Sequence, residues 1–306
     1  MKSLLLVLLV FFFVGTSSLA QAENGDWTFS LTTGAYKPSL RTLNSVIQNP
    51  NRAILQDPNF QLNANPSFPA QVRNIKIPAF KIDNAFGFET SRNITPKHTL
   101  IATLNIWNGV QKAEDLAPQI SGSLIDNVEN VPRSSRYDLS IMQLWFGWRY
   151  AFYNPTPQKQ LFLDIGLFGL SYAQLTIDTL LKVPEENGDG FPVVSSLEAN
   201  GWGLTSRWGL GGSYAINEWI GLSIRAAYIF GRVNSMKVNR FFPSGFSSPP
   251  VPEAGTNLQP RPEVGDRVTV ADVRTVTPTD ERRENEVPLQ LELDGFEAMV
   301  ALQFYF

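Results

Sequence analysis

Eight ionisable residues share the polar faces of alternating segments: Lys81, Asp83, Glu89, Arg149, Asp164, Arg207, Arg225 and Glu297. Four cations and four anions, interleaved with glycine and threonine, form a set in which carboxylates accept charge-assisted hydrogen bonds from guanidinium and ammonium groups. Such pairs need not stabilise more than an apolar filling would, but removing one partner strands a buried charge at roughly 3–5 kcal/mol. Catalytic chemistry has fewer candidates. The chain has no cysteine and one histidine, His98, in SRNITPKHT. A histidine-dependent nucleophile needs a serine and an acid held in one geometry, and this stretch reads instead as a solvated turn. No pair of carboxylates is singled out for general acid–base work. ENGDG, residues 186–190, offers oxygens without the ligand number and spacing of a dedicated calcium loop. The expectation is therefore no catalytic residue, no metal site and no cofactor.

The elements that must hold these charges are strands. DWTFSLTTGAY sets Trp27, Phe29, Leu31 and Ala35 against Thr28, Ser30, Thr32 and Gly34, a period of two. The same alternation returns in AFKIDNAFGFE, HTLIATLNIW, LSIMQLWFGWRY, LFLDIGLFGLSY, NGWGLTSRWGLGGSY, WIGLSIRAAYIFG and EAMVALQFYF, eight segments in all. Asn84 and Ser206 break the apolar face, and Phe162 and Phe168 break the polar one. The stretch RVTVADVRTV, 267–276, makes ten strands the alternative to eight.

The first 22 residues, MKSLLLVLLVFFFVGTSSLAQA, combine a lysine, a short apolar run and an A-x-A site, which predicts a Sec-type signal peptide cleaved near Ala22. Residues 23–306 are expected to form a single domain. Without cysteine it has neither a disulfide framework nor a thiolate site, and a net charge of −3 argues against nucleic acid. No later run of about 18 apolar residues exists to make a membrane helix.

Connection lengths alternate. Three are short (SRNITPK, NPTPQK and AINE), and four are long, at about 37–78, 110–134, 179–199 and 234–288. Short turns at one end and long loops at the other describe an all-β, antiparallel, up-and-down transmembrane barrel, with the long loops extracellular. Eight strands leave an interior just wide enough for side chains, which is where the eight charges belong. Trp27, Phe29, Phe88, Trp148, Tyr150, Tyr214, Trp219 and Phe304 are expected at the short-turn end as an aromatic girdle. In the first long connection, SLRTLNSVIQ spaces Leu40, Leu43, Val46 and Ile47 at helical intervals after a Ser39 cap, predicting a short helix over the mouth.

These segments, with the closing AMVALQFYF, resemble the small outer-membrane β-barrel proteins of Gram-negative bacteria, the OmpA- and OmpX-like group, over the whole chain after the leader. The resemblance implies outer-membrane localisation and makes Phe306 part of the carboxy-terminal signal read by the barrel-assembly machinery. Enzymes on barrels of this size imply a histidine near the outer rim, whereas His98 falls at the turn side, so no enzyme is expected. Lys76, Lys112, Arg133, Arg136, Lys182, Arg232, Lys237 and Arg240 sit above the expected outer rim, where cations can meet lipopolysaccharide phosphates. The functional expectation is a structural or surface-interaction barrel acting through its loops, with a possible surface ligand. The alternative is a channel for small solutes or hydrophobic compounds, porin-like in action.

Overall fold

The computed structural model describes residues 27–47, 79–120, 128–156, 159–183, 191–243, 267–268 and 288–306. The predicted signal peptide lies outside them. The strands are β1 (Trp27–Pro38), β2 (Asp83–Thr95), β3 (His98–Ile120), β4 (Val128–Thr156), β5 (Lys159–Val183), β6 (Phe191–Ala215), β7 (Ile220–Val233), β8 (Lys237–Pro243), β9 (Leu291–Glu292) and β10 (Gly295–Tyr305). Among the described residues one helix, α1 (Arg41–Ile47), follows β1.

Strands β1 to β7 pair antiparallel in sequence order, β7 pairs with β10, and β10 pairs with β1, closing a ring of eight. The two further strands do not enlarge it: β8 continues along the upper part of β6 where β7 leaves off, and β9 pairs with the top of β7. Of RVTVADVRTV, only Arg267 and Val268 lie among the described residues. Arg267 bridges to Lys237, and the Val268 N–H donates to Met236 O at 2.8 Å. Closure of the ring pairs the strand edges of the lower wall, which hydrocarbon requires. The seam is held to the last residue, with the Phe306 N–H donating to Trp27 O at 3.0 Å.

The strands are far longer than expected. A tilted crossing needs about 9–11 residues, whereas β4 has 29 and β5 and β6 have 25 each. The connections expected at 110–134 and 179–199 are therefore mostly strand, reduced to 121–127 and 184–190. The cause is a change of phase. Outward from β5 come Leu163, Ile165, Leu170 and Tyr172, then Gln174, Thr176 and Asp178; inward come Asp164 and Ser171, then Ala173, Leu175 and Ile177. Both faces exchange character near Tyr172. On β4 Trp148, Phe146, Leu144 and Met142 give way outside to Ser140, Asp138 and Arg136, while Gln143 gives way inside to Ile141, Leu139 and Tyr137. On β6 the outer sequence is Trp208, Leu204 and Trp202, then Asn200, Glu198 and Ser196, with Leu197 and Ala199 turned inward. The lower barrel is thus inverted, apolar outside and charged inside, as lipid demands. The upper barrel is an ordinary β-structure with a dry core and a polar surface, as water demands.

One irregularity repairs a predicted mismatch. A bulge in β5 between Gly166 and Gly169 shifts the register against both neighbours and turns Leu167 and Phe168 outward, leaving each at least half exposed. Phe162 stays inside and fully buried. Asn84 and Ser206 do face outward.

Candidate functional site

The lower lumen is crossed by a layer of paired charges. Arg149 donates from Nε to Asp164 Oδ1 at 2.7 Å and from Nη2 to Asp164 Oδ2 at 2.9 Å and Glu89 Oε1 at 2.8 Å. Arg225 donates to Glu89 Oε2 at 2.6 Å and to Glu297 Oε1 at 3.3 Å. Glu297 also accepts from Asn105 Nδ2 at 2.7 Å. Arg207 is the least directly paired of the three guanidiniums, 3.8 Å from Glu297 and 3.2 Å from Thr103 Oγ1. Aromatic faces complete the packing, Phe162 at 4.0 Å from Arg149 and Trp145 at 4.7 Å from Arg207. Three cations face three anions, all buried.

Six of the eight expected lumen charges meet here. Lys81 and Asp83 do not: both are exposed at the long-loop end, where β2 begins, and Asp83 Oδ1 accepts from the Asn84 N–H at 2.8 Å. Asp83 shares the parity of the inward residues but stands above the closed part of the wall, so parity alone misassigns it. The expected lumen network did not include Thr103 and Asn105, which the alternation puts on the polar face, or Trp145. All three lie on the inward parity of β3 or β4; being uncharged, they gave only that weak signal.

Above the charges the lumen is filled by an apolar layer. Tyr36, Trp107, Tyr137, Leu139, Leu175, Ile229 and Val233 are buried there among further aliphatic residues. The predicted helix closes it, with Leu43 and Ile47 of α1 and Leu40 just before it fully buried in the same cluster. The expected Ser39 cap is corrected. Ser39 Oγ accepts from Arg41 Nε, while the α1 N-terminus is held by Glu292, whose carboxylate accepts from the Thr42 N–H at 3.1 Å and Thr42 Oγ1 at 2.6 Å. Leu40 adopts φ 46°, a left-handed conformation that costs about 1–2 kcal/mol for a side chain of this kind. Complete burial of Leu40 offsets it by about 1.5–3 kcal/mol. The Trp107 Nε1–H donates to Tyr36 O at 3.0 Å, and the Tyr36 hydroxyl donates to Leu293 O, so both of these polar-tipped rings are satisfied within the layer.

The expected girdle residues lie on the outer wall or rim. Phe88, Trp148, Tyr214 and Trp219 are exposed, and Trp27, Phe29, Tyr150 and Phe304 are half-buried. Phe88 is mid-strand rather than at a strand end, opposite Leu31 and Leu104, because β2 runs on to Thr95. His98 stacks between Trp148 and Tyr150, with ring centroids 4.9 and 5.3 Å away. Of the cations expected above the rim, Lys112, Arg136, Arg232, Lys237 and Arg240 are exposed; Arg133 lies in β4 and Lys182 in β5. Arg136 is already engaged by Asp138 at 2.8 Å. Lys76 falls outside the described residues, as does ENGDG.

A closed ring that is apolar outside, filled inside and polar above defines a small transmembrane β-barrel of the outer-membrane type. No family model and no curated protein matches the chain. Among solved structures it is similar to the outer membrane protein OprG from Pseudomonas aeruginosa, at 12% identity and TM-score 0.41, covering 93% of this chain and 97% of that one. It is also similar to Ail, the attachment invasion locus protein of Yersinia pestis, at 7% identity and TM-score 0.33, covering 92% and 99%. A third is CarO2 of Acinetobacter baumannii, at 10% identity and TM-score 0.30, covering 72% and 92%. The class assignment rests on the barrel's own two faces.

Proposed function

We propose that this is an integral outer-membrane barrel of a Gram-negative bacterium, with its short turns in the periplasm, that serves a structural or surface-interaction role rather than conducting solutes. The observation that carries this reading is the double filling of the lumen. A neutral layer of three arginines and three carboxylates lies below an apolar layer closed by α1. A pore would need a continuous wetted path, whereas these groups are spent on one another and on packing. The part offered to a partner is then the upper barrel and its connections, which stand in water above the bilayer. The aromatic residues of the short-turn rim serve as a girdle, their apolar bodies in lipid and their polar tips at the headgroups. The exposed cations of the upper barrel contact lipopolysaccharide phosphates, with Arg136 the weakest candidate because Asp138 already holds it.

Single-channel recording of the refolded chain in a planar bilayer tests the reading, with insertion established by heat-shifted gel mobility. Inserted protein is expected to be silent. A steady conductance altered by Arg207→Ala would instead assign a pore lined by the lumen charges.

A further inference from the structure

The outer wall changes character in a way that the lumen does not explain. Along the hydrogen-bonded direction, Ile106, Met142, Tyr172 and Trp202 are successive partners on β3, β4, β5 and β6, and they form the last wholly apolar row. Tyr172 and Trp202 pack ring to ring with centroids 4.9 Å apart. Two residues further up each strand, the partners are Asn108, Ser140, Gln174 and Asn200. All four are turned outward, and among the described residues none of the four side chains has a hydrogen bond. Only in the next rows do charges begin, as Asp138 and Glu198 and then Arg136 and Asp178. The acids have counter-ions at hand: Arg136 pairs with Asp138, and Arg240 lies 3.9 Å from Glu198.

Height decides what this uncharged row meets. Two residues of a strand tilted as barrel strands are tilted rise about 5 Å, so the row stands at the headgroups rather than in bulk water. The four side chains span about 14 Å across the sheet, the scale of an oligosaccharide rather than of a single phosphate. The opposite rim differs, with Arg92 over the Trp27 ring at 5.4 Å and with Lys97 and Lys159 exposed nearby. That rim is cationic, as suits phospholipid phosphates; the upper row offers amides and a hydroxyl, which donate to and accept from sugar hydroxyls in both senses. Tyr172 and Trp202 below it, tilted 54° to one another, supply aromatic faces on which a sugar ring's C–H face packs.

We propose that Asn108, Ser140, Gln174 and Asn200, over Tyr172 and Trp202, form a docking surface for the sugar headgroup of an outer-leaflet glycolipid. The proposal rests on the reading of the protein as an outer-membrane barrel with its long-loop end outward. It selects glycolipid over phospholipid by hydrogen bonding, whereas the cations above recognise phosphate on either.

The test is native mass spectrometry of the refolded full chain in detergent micelles, titrated with a lipid A carrying inner-core sugars or with phosphatidylglycerol. Gln174→Val with Asn200→Val is expected to weaken glycolipid binding about tenfold, the effect of two lost hydrogen bonds of ordinary strength, and to leave phosphatidylglycerol unchanged. The uncharged Gln174→Met with Asn200→Leu, of nearly the same size, serves if the valine variant fails to fold, and should also weaken glycolipid binding while leaving phosphatidylglycerol unchanged. Unchanged glycolipid affinity in a folded variant, or an equal loss for both lipids, overturns the proposal. So does a wild-type chain that inserts and stays silent but does not prefer the glycolipid. Failure of the underlying reading is seen separately, as a chain that conducts or does not insert at all.

Discussion

Replacing Arg149 by methionine probes the lumen most directly. The guanidinium makes two hydrogen bonds to Asp164 and one to Glu89, at 2.7 to 2.9 Å. Its loss leaves Glu89 with Arg225 at 2.6 Å but leaves Asp164, fully buried, with only the longer 3.6 Å approach of Arg225. A stranded buried carboxylate costs about 3–5 kcal/mol, and loss of two bonds to a charged acceptor, at about 1.5–3 kcal/mol each, gives the same range. Arg149→Met is therefore expected to lower the folding constant by two to three and a half powers of ten. Asp164→Leu should cost a similar amount. The double variant leaves Arg207 and Arg225 facing Glu89 and Glu297, a neutral layer with apolar neighbours, and should lie within about 1 kcal/mol of wild type. Urea unfolding of the protein folded in lipid vesicles, followed by tryptophan fluorescence, measures all four corners of the cycle. If the two single losses sum to the double loss within about 0.5 kcal/mol, the groups are not coupled and the lumen is wet.

The helix and the two faces give further expectations. Glu292→Ala removes both bonds onto Thr42, and loss of a cap of about 0.5–2 kcal/mol should speed amide exchange at Thr42 to Asn44 about 2- to 30-fold. Unchanged protection there would show that packing of Leu40, Leu43 and Ile47 alone holds α1. Ile224→Arg places a charge in the lipid band and should cost about 2–4 kcal/mol in vesicle unfolding; Thr176→Arg, on the outer face above the exchange of faces, should change stability by less than about 0.5 kcal/mol. Equal costs would mean that the lipid band extends up the whole wall. Deleting Phe306, whose N–H closes the seam on Trp27, should sharply reduce the heat-shifted form in outer membranes, and normal assembly of the truncated chain would dismiss its part as a signal.

Alternation along the chain was enough to assign most lower-barrel side chains to a face, because a strand has only two. Trp208 and Leu210 went outward, and Arg207 and Arg225 inward, from parity alone. The helix at Arg41–Ile47 was legible for the same reason, its apolar spacing being helical. The sequence also carried the upper strands, but in inverted phase: YDLSI and LTIDTLL still alternate, and only the side on which the apolar residues fall has changed. That exchange has no local cause. It follows from the medium, which passes from lipid to water partway up one continuous strand, and only the assembled wall shows where. Tertiary structure likewise decided which charges meet. Glu89 and Arg225 are 136 residues apart, and Asn105 and Glu297 are 192 apart. Their contact depends on ring closure and strand stagger, which parity does not encode, and the same stagger leaves Asp83 outside the network that its parity had promised.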